Sequence, residues 1–198
     1  MSRRLTGSLL LLCAAMLSGC TIASKSVTAP PPPAVTVEYN CTGYPAGPSG
    51  ENERVARMRL YFSCSGDPVP STPRQVFRDA PDGKVTLEAA LRELLKGPTE
   101  DERAKGFASF FSSETAGFLK SVTVTDTGRA IVDFADLRPV IPNASSSAGS
   151  TQFLRELNYT VFRFADVKEV QYRINGSCST FYEWLQTDCQ VHGATEYR

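Results

Sequence analysis

The sequence from Val35 to Arg198 predicts a single α+β domain. Three observations predict it. Apolar and polar residues alternate in several short segments, as they do in half-buried strands; two longer segments repeat apolar residues at helical spacing; and strands and helices are interleaved along the chain. The expected architecture is a mixed or antiparallel sheet with two main helices packed on one face, closed by a short C-terminal helix.

Val35, Val37, Tyr39 and Cys41 alternate with Thr36, Glu38 and Asn40, and Met58, Leu60, Phe62 and Cys64 alternate with Arg59, Tyr61 and Ser63. Both segments read as strands, joined by the turn-forming stretch TGYPAGPSGENE. The proline-rich SGDPVPSTP that follows leads into an edge strand near Arg74 to Phe77. Leu87, Ala90, Leu91, Leu94 and Leu95 then fall on one helical face, with Thr86 placed to cap it and Gly97-Pro98 placed to stop it. Val122 and Val124 face Ala130, Val132 and Phe134 across a turn, which is a hairpin. After the serine-rich NASSSAGS, read as a loop, a second helix presents Phe153, Leu157, Val161 and Phe164, with Leu154 widening the stripe. Val170, Tyr172 and Ile174 form a last strand ending at Asn175-Gly176, and Ser179 to Gln186 forms the closing helix.

These residues carry a family resemblance. LRELLKGPTEDERAKGFASFF is similar to the signature of the GerMN domain, the sporulation and spore germination domain. The matching positions are Leu94, Leu95, Gly97, Pro98, Thr99, Glu102, Gly106 and Phe107, where a leucine-rich helix runs into Gly-Pro-Thr, an acidic turn and Gly-Phe. The likeness continues through Val122, Val124, Gly128, Ala130, Val132, Asp133 and Phe134, and through Val167, Val170, Tyr172, Ile174, Asn175 and Gly176. It covers about residues 54–176, and departs at Ala135, where members often carry Ser, in the extra N-terminal strand and in the cysteines. The resemblance implies a fold like that of ring-building domains and a non-catalytic assembly role outside the cytosol. The residues themselves read as folding instructions: Gly97 suits a left-handed helix end, Pro98 forbids continuation, and Asp133 sits on a strand whose neighbours are buried.

The N-terminus says where such a domain works. Arg3 and Arg4 precede an uncharged run from Leu5 to Gly19, too short for a permanent membrane span and ending in Leu17-Ser18-Gly19-Cys20. That ending resembles the bacterial lipoprotein lipobox. Residues 1–19 are therefore expected to be a signal peptide and Cys20 the lipid attachment point, which makes the membrane a partner through buried acyl chains. Residues 20–34, with four consecutive prolines, form a tether of roughly 45 Å reach. Removing Arg3 and Arg4 leaves 19 of the 21 basic residues against 21 acidic ones, so a nucleic-acid partner is not expected.

Four cysteines remain, Cys41, Cys64, Cys178 and Cys189, and an even number in an exported chain predicts two disulfides. If residues 179–187 are all helical, Cys178 and Cys189 lie ~16 Å apart, beyond the reach of a bridge. An antiparallel pairing of the first two strands would separate Cys41 from Cys64. The expected connectivity therefore joins each C-terminal cysteine to an N-terminal strand.

Other motifs point to chemistry without completing it. Asp126-Thr127-Gly128 matches the aspartic protease triplet, but that reaction needs two carboxylates sharing a proton and the chain holds one copy, between strands where Asp and Gly make turns. His192 is the only histidine; no C-x-x-C, G-x-S-x-G or glycine-rich phosphate loop occurs, so no metal, cofactor or catalytic residue is assigned. Phe181, Tyr182 and Trp184 are read as covering the core rather than as a partner patch, and the sequons at Asn40, Asn143, Asn158 and Asn175 as incidental. The expected function is a non-catalytic interaction or assembly module on the outer face of the membrane, with an unidentified envelope protein or the cell wall as partner. The alternative is a binding protein for a cell-wall fragment, using a pocket near the serine-rich loop and the helix start after it.

Overall fold

The computed structural model describes Cys41 and residues 56–197. The leader, Cys20, the tether, the strand expected at Val35 to Asn40 and the turn after Cys41 lie outside the described residues.

Strand β1 (Arg57–Cys64) buries Met58, Leu60, Phe62 and Cys64, the alternate positions of its sequence, and leaves Arg57 and Arg59 in solvent. Strand β2 (Arg74–Asp79) pairs with it antiparallel, from Arg57 opposite Asp79 to Phe62 opposite Arg74, and is the edge strand expected there. Helix α1 (Leu87–Leu95) starts where Thr86 Oγ1 accepts the Ala89 N–H at 3.1 Å. It buries the predicted leucine stripe and ends at Gly97, whose φ of 70° is left-handed. The acidic turn after it is in fact a five-residue helix, α2 (Glu100–Ala104). Thr99 and Glu102 cap it reciprocally, each side chain bonding the other's backbone N–H, which is enough to hold a single turn. A two-residue strand, β3 (Phe107–Ala108), then pairs with the end of β1.

The hairpin is present as β4 (Leu119–Val124) and β5 (Arg129–Phe134). Gly128, at φ 86°, closes its turn by donating to Thr125 O. Helix α3 (Ser147–Val161) crosses from β5 to β6 (Glu169–Ile174), which lies parallel to β5. After α4 (Cys178–Trp184), the short β7 (His192–Gly193) pairs with the start of β6.

The strands form two hydrogen-bonded sheets, β2-β1-β3 and β4-β5-β6-β7. Helices α1 and α3 pack on each other and on β1, and α4 packs on β6. The α+β class and the two main helices are as the periodicities predict. Helix α3 starts earlier than expected: Ser146 Oγ accepts the Gly149 N–H, so half of the serine-rich stretch is helical, and Pro142–Ser145 is a 3-10 turn. Phe164 falls beyond the end of α3.

The disulfide connectivity is corrected. Cys41 bonds Cys64 with Cα atoms 6.1 Å apart, and Cys178 bonds Cys189 at 5.4 Å. The second pair forms because α4 is shorter than the ~16 Å argument required. Gln186 takes a left-handed φ of 59°, with Gln186 N–H on Glu183 O and Thr187 N–H on Tyr182 O. That is a Schellman ending without glycine, and it turns the chain back so that Cys189 returns to the start of the helix. The first pair ties Cys41 to Cys64, the last residue of β1.

Candidate functional site

Along the side of β1 away from β2, helix α3 supplies the hydrogen-bond partners. The Tyr61 N–H donates to Thr160 Oγ1 at 3.1 Å and the Ser63 N–H to Glu156 Oε1 at 3.3 Å. The spacings match, because residues four apart on a helix rise about as far as residues two apart on a strand. Glu156 is wholly buried and forms a hub. It also accepts from Ser63 Oγ and from Ser109 Oγ, so one carboxyl joins α3, β1 and the segment after β3.

Burial pushes the Glu156 carboxyl from 4.5 up to about 7, against the opposing pull of the Ser109 and Ser63 donors and the Phe110 amide. The folded state thus holds a proton that the unfolded chain has released. The stability contributed by this group is complete below pH 4.5 and is lost as pH rises through about 7; the total is about 3 kcal/mol. Glu156→Gln is expected to flatten that decline. Urea midpoints at about pH 5 and about pH 8 measure it, and a variant that kept the native slope would show that another group is responsible.

Beside this hub lies a cavity of about 260 Å³. Cys64, Val69 and Phe110 give it apolar walls, and Ser63, Gln152 and Glu156 give it a polar floor. Val69 stands at its rim, 58% exposed between Pro68 and Pro70. Gln152 lies one helical turn before Glu156, and its Oε1 accepts the Ser71 N–H at 2.6 Å. Its Nε2 is buried and has no hydrogen-bond partner among the described residues. Among the described residues the lining holds two acids, Glu156 and Asp67, and no lysine or arginine; Asp67 pairs with Arg74 at 3.0 Å.

A second hollow, of about 330 Å³, lies where the sequence placed one, at the start of α3. Ser147, Ser150 and Thr151 face Gln186, Thr187 and Gln190 across it. The Ser150 and Thr151 hydroxyls are turned back onto Ser147 O, so this wall spends its donors on its own helix.

The remaining sequence candidates are structural in these surroundings. Asp126 is an exposed turn residue between β4 and β5. His192 packs against Tyr172 and Tyr182, and burial holds its imidazole below the ordinary range. Phe181 and Tyr182 are buried, and Trp184 meets Phe153 and Phe181 edge-on, as core cover does. Asp133 Oδ1 accepts the Gly176 N–H at 2.7 Å and so pins the turn after β6. Neither Gln152 nor Glu156 stood out in the sequence. The signal was there: both lie among the apolar stripe of α3, where a polar residue needs a partner.

The sequence profile described as "Germane: Sporulation and spore germination" matches residues 59–179. No curated protein matches the chain. Among solved structures, the tandem GerMN domains of the sporulation protein GerM from Bacillus subtilis share 21% identity at a TM-score of 0.49, over 66% of this chain and 43% of that one. This chain therefore spans less than half the length of that tandem structure. The first GerMN domain of the same protein gives 21% and 0.46, covering 61% and 84%. A candidate lipoprotein from Clostridium perfringens gives 14% and 0.40, covering 74% and 92%.

Proposed function

The chain belongs to the sporulation and spore germination family, and from that premise we propose that it is an envelope lipoprotein whose domain binds another envelope component without catalysing a reaction. In this reading Cys20 carries the lipid, residues 20–34 hold the domain off the membrane, and residues 35–198 do the binding. The observation that carries it is the pair of disulfides, Cys41 to Cys64 and Cys178 to Cys189, each formed within one local region of the fold. Such bonds form and persist in an oxidising compartment, which is where a lipidated export signal would deliver the chain. Glu156 supports binding over chemistry, since both its oxygens are held by Ser63 and Ser109 and it has no exposed surface, which suits a structural hub.

The test is fractionation of cells fed an alkyne-bearing fatty acid. Wild-type protein is expected in the membrane fraction with label, and Cys20→Ser in the soluble fraction without it. Label retained by the serine variant would refute the anchor. Cross-linking in the intact envelope then identifies the component bound.

A second reading, a binding protein for a small envelope ligand, is favoured by the cavity under Val69 and its unpartnered Gln152 amide.

A further inference from the structure

We infer that the cavity between β1, the turn at Ser65 to Val69 and α3 is a subsite for a neutral acetamido group, with Gln152 as the residue that recognises it. The inference rests on the ligand-binding reading and adds the chemistry of the ligand.

The Gln152 side chain fixes the first requirement. Because Oε1 takes the Ser71 N–H, the amide has one orientation; reversing it would set two N–H groups against each other. Nε2 is left with two hydrogens, buried on a residue that lines the cavity and bonded to nothing among the described residues. A buried amide N–H without an acceptor is costly, and most such groups are satisfied. The occupant therefore brings an acceptor.

Charge fixes the second. Among the described residues the lining carries no cationic side chain, so nothing there would balance the charge of a carboxylate or phosphate acceptor taken out of water. The acceptor is a neutral carbonyl. The Ser63 hydroxyl spends its hydrogen on Glu156 and keeps lone pairs, which suit an N–H on the occupant, whereas Ser109 Oγ already accepts the Phe111 N–H.

Shape fixes the third. Val69, Phe110 and Cys64 offer an apolar wall, and the volume of about 260 Å³ falls just short of the ~300–1,000 Å³ of sites that enclose drug-sized ligands. The site takes one small part of a larger molecule. A carbonyl, an N–H and a methyl in that compact order are an acetamido group, as carried by an N-acetylated amino sugar or an N-acetylated amino acid.

The experiment uses the full chain in detergent micelles, with saturation-transfer NMR and calorimetry. N-acetylglucosamine and N-acetylalaninamide are the two acetylated probes, glucosamine and alaninamide their controls. Expected is binding of at least one acetylated probe, with the strongest transfer on its acetyl methyl and none for its control. Gln152→Glu, which keeps the acceptor for Ser71 and removes the donor, is expected to weaken binding at least tenfold. Val69→Asp, at an exposed position that leaves the core alone, is expected to weaken it severalfold. The probe that binds identifies the source of the group. Equal binding of acetylated and control probes, or full affinity in Gln152→Glu, would overturn the acetamido assignment while leaving a ligand site. No binding by any probe would overturn both.

Discussion

Arg78→Met is expected to destabilise the domain by about 3–5 kcal/mol, because it leaves a buried carboxylate without its counter-charge. Arg78 projects from β2 with its side chain 12% exposed and reaches three places at once. Its Nη2 donates to Gly97 O at 2.7 Å and its Nη1 to Glu93 O at 3.0 Å, which are carbonyls at and just beyond the end of α1. Its Nε and Nη2 grip Glu102, which is 2% exposed and caps α2 through the Thr99 N–H. One guanidinium thus ties the edge strand, the end of α1 and the start of α2, and its fork geometry is what a lysine lacks. A double-mutant cycle with Glu102→Gln, read from urea unfolding at neutral pH, separates the pair from the contact of the Arg78 guanidinium with the Phe62 ring. A loss for Arg78→Met below about 1 kcal/mol would place the pair with ordinary surface bridges.

Gly97→Ala is expected to cost at least about 3 kcal/mol. Two effects coincide there. The backbone is left-handed at φ 70°, and a Cβ would stand 2.1 Å from Phe111 O and 2.7 Å from Phe111 C, backbone atoms that cannot swing aside. Gly83 separates the two, since it has nearly the same φ of 65° and nothing within 4 Å of an added Cβ. Gly83→Ala should therefore show the conformational cost alone, about 1–2 kcal/mol. If thermal melts of the two variants coincide, the close approach of Phe111 is not what requires glycine at position 97.

Both residues bear on what the sequence disclosed. Gly97-Pro98 was legible as a stop signal, as were Thr86 as a cap and the alternation in β1, β5 and β6, because each depends on neighbours a few residues away. Family membership was legible for the same reason, with residues 59–179 matched against the 54–176 read from the motifs. Helix α2 escaped although Thr99-x-x-Glu102 spells a capping box, since a run of charged residues has no apolar period. The start of α3 escaped because serine and glycine are weak helix formers and the first turn is held by Ser146 instead. The disulfide pairing turned on a single left-handed glutamine, a conformation no propensity favours. The cavity lay further out of reach, since Gln152 and Glu156 meet their partners on residues 81 and 93 positions away.

The seam between α3 and β1 bears on how such chains behave when crowded. A strand flank with bare amides is a template on which another polypeptide can add a strand, the first step toward aggregation. Thr160 and Glu156 occupy the places where a neighbour's carbonyls would dock. Up to the point where β3 pairs with β1, the helix thereby stands in for a strand through its side chains and withholds those two amides from any polypeptide packed alongside.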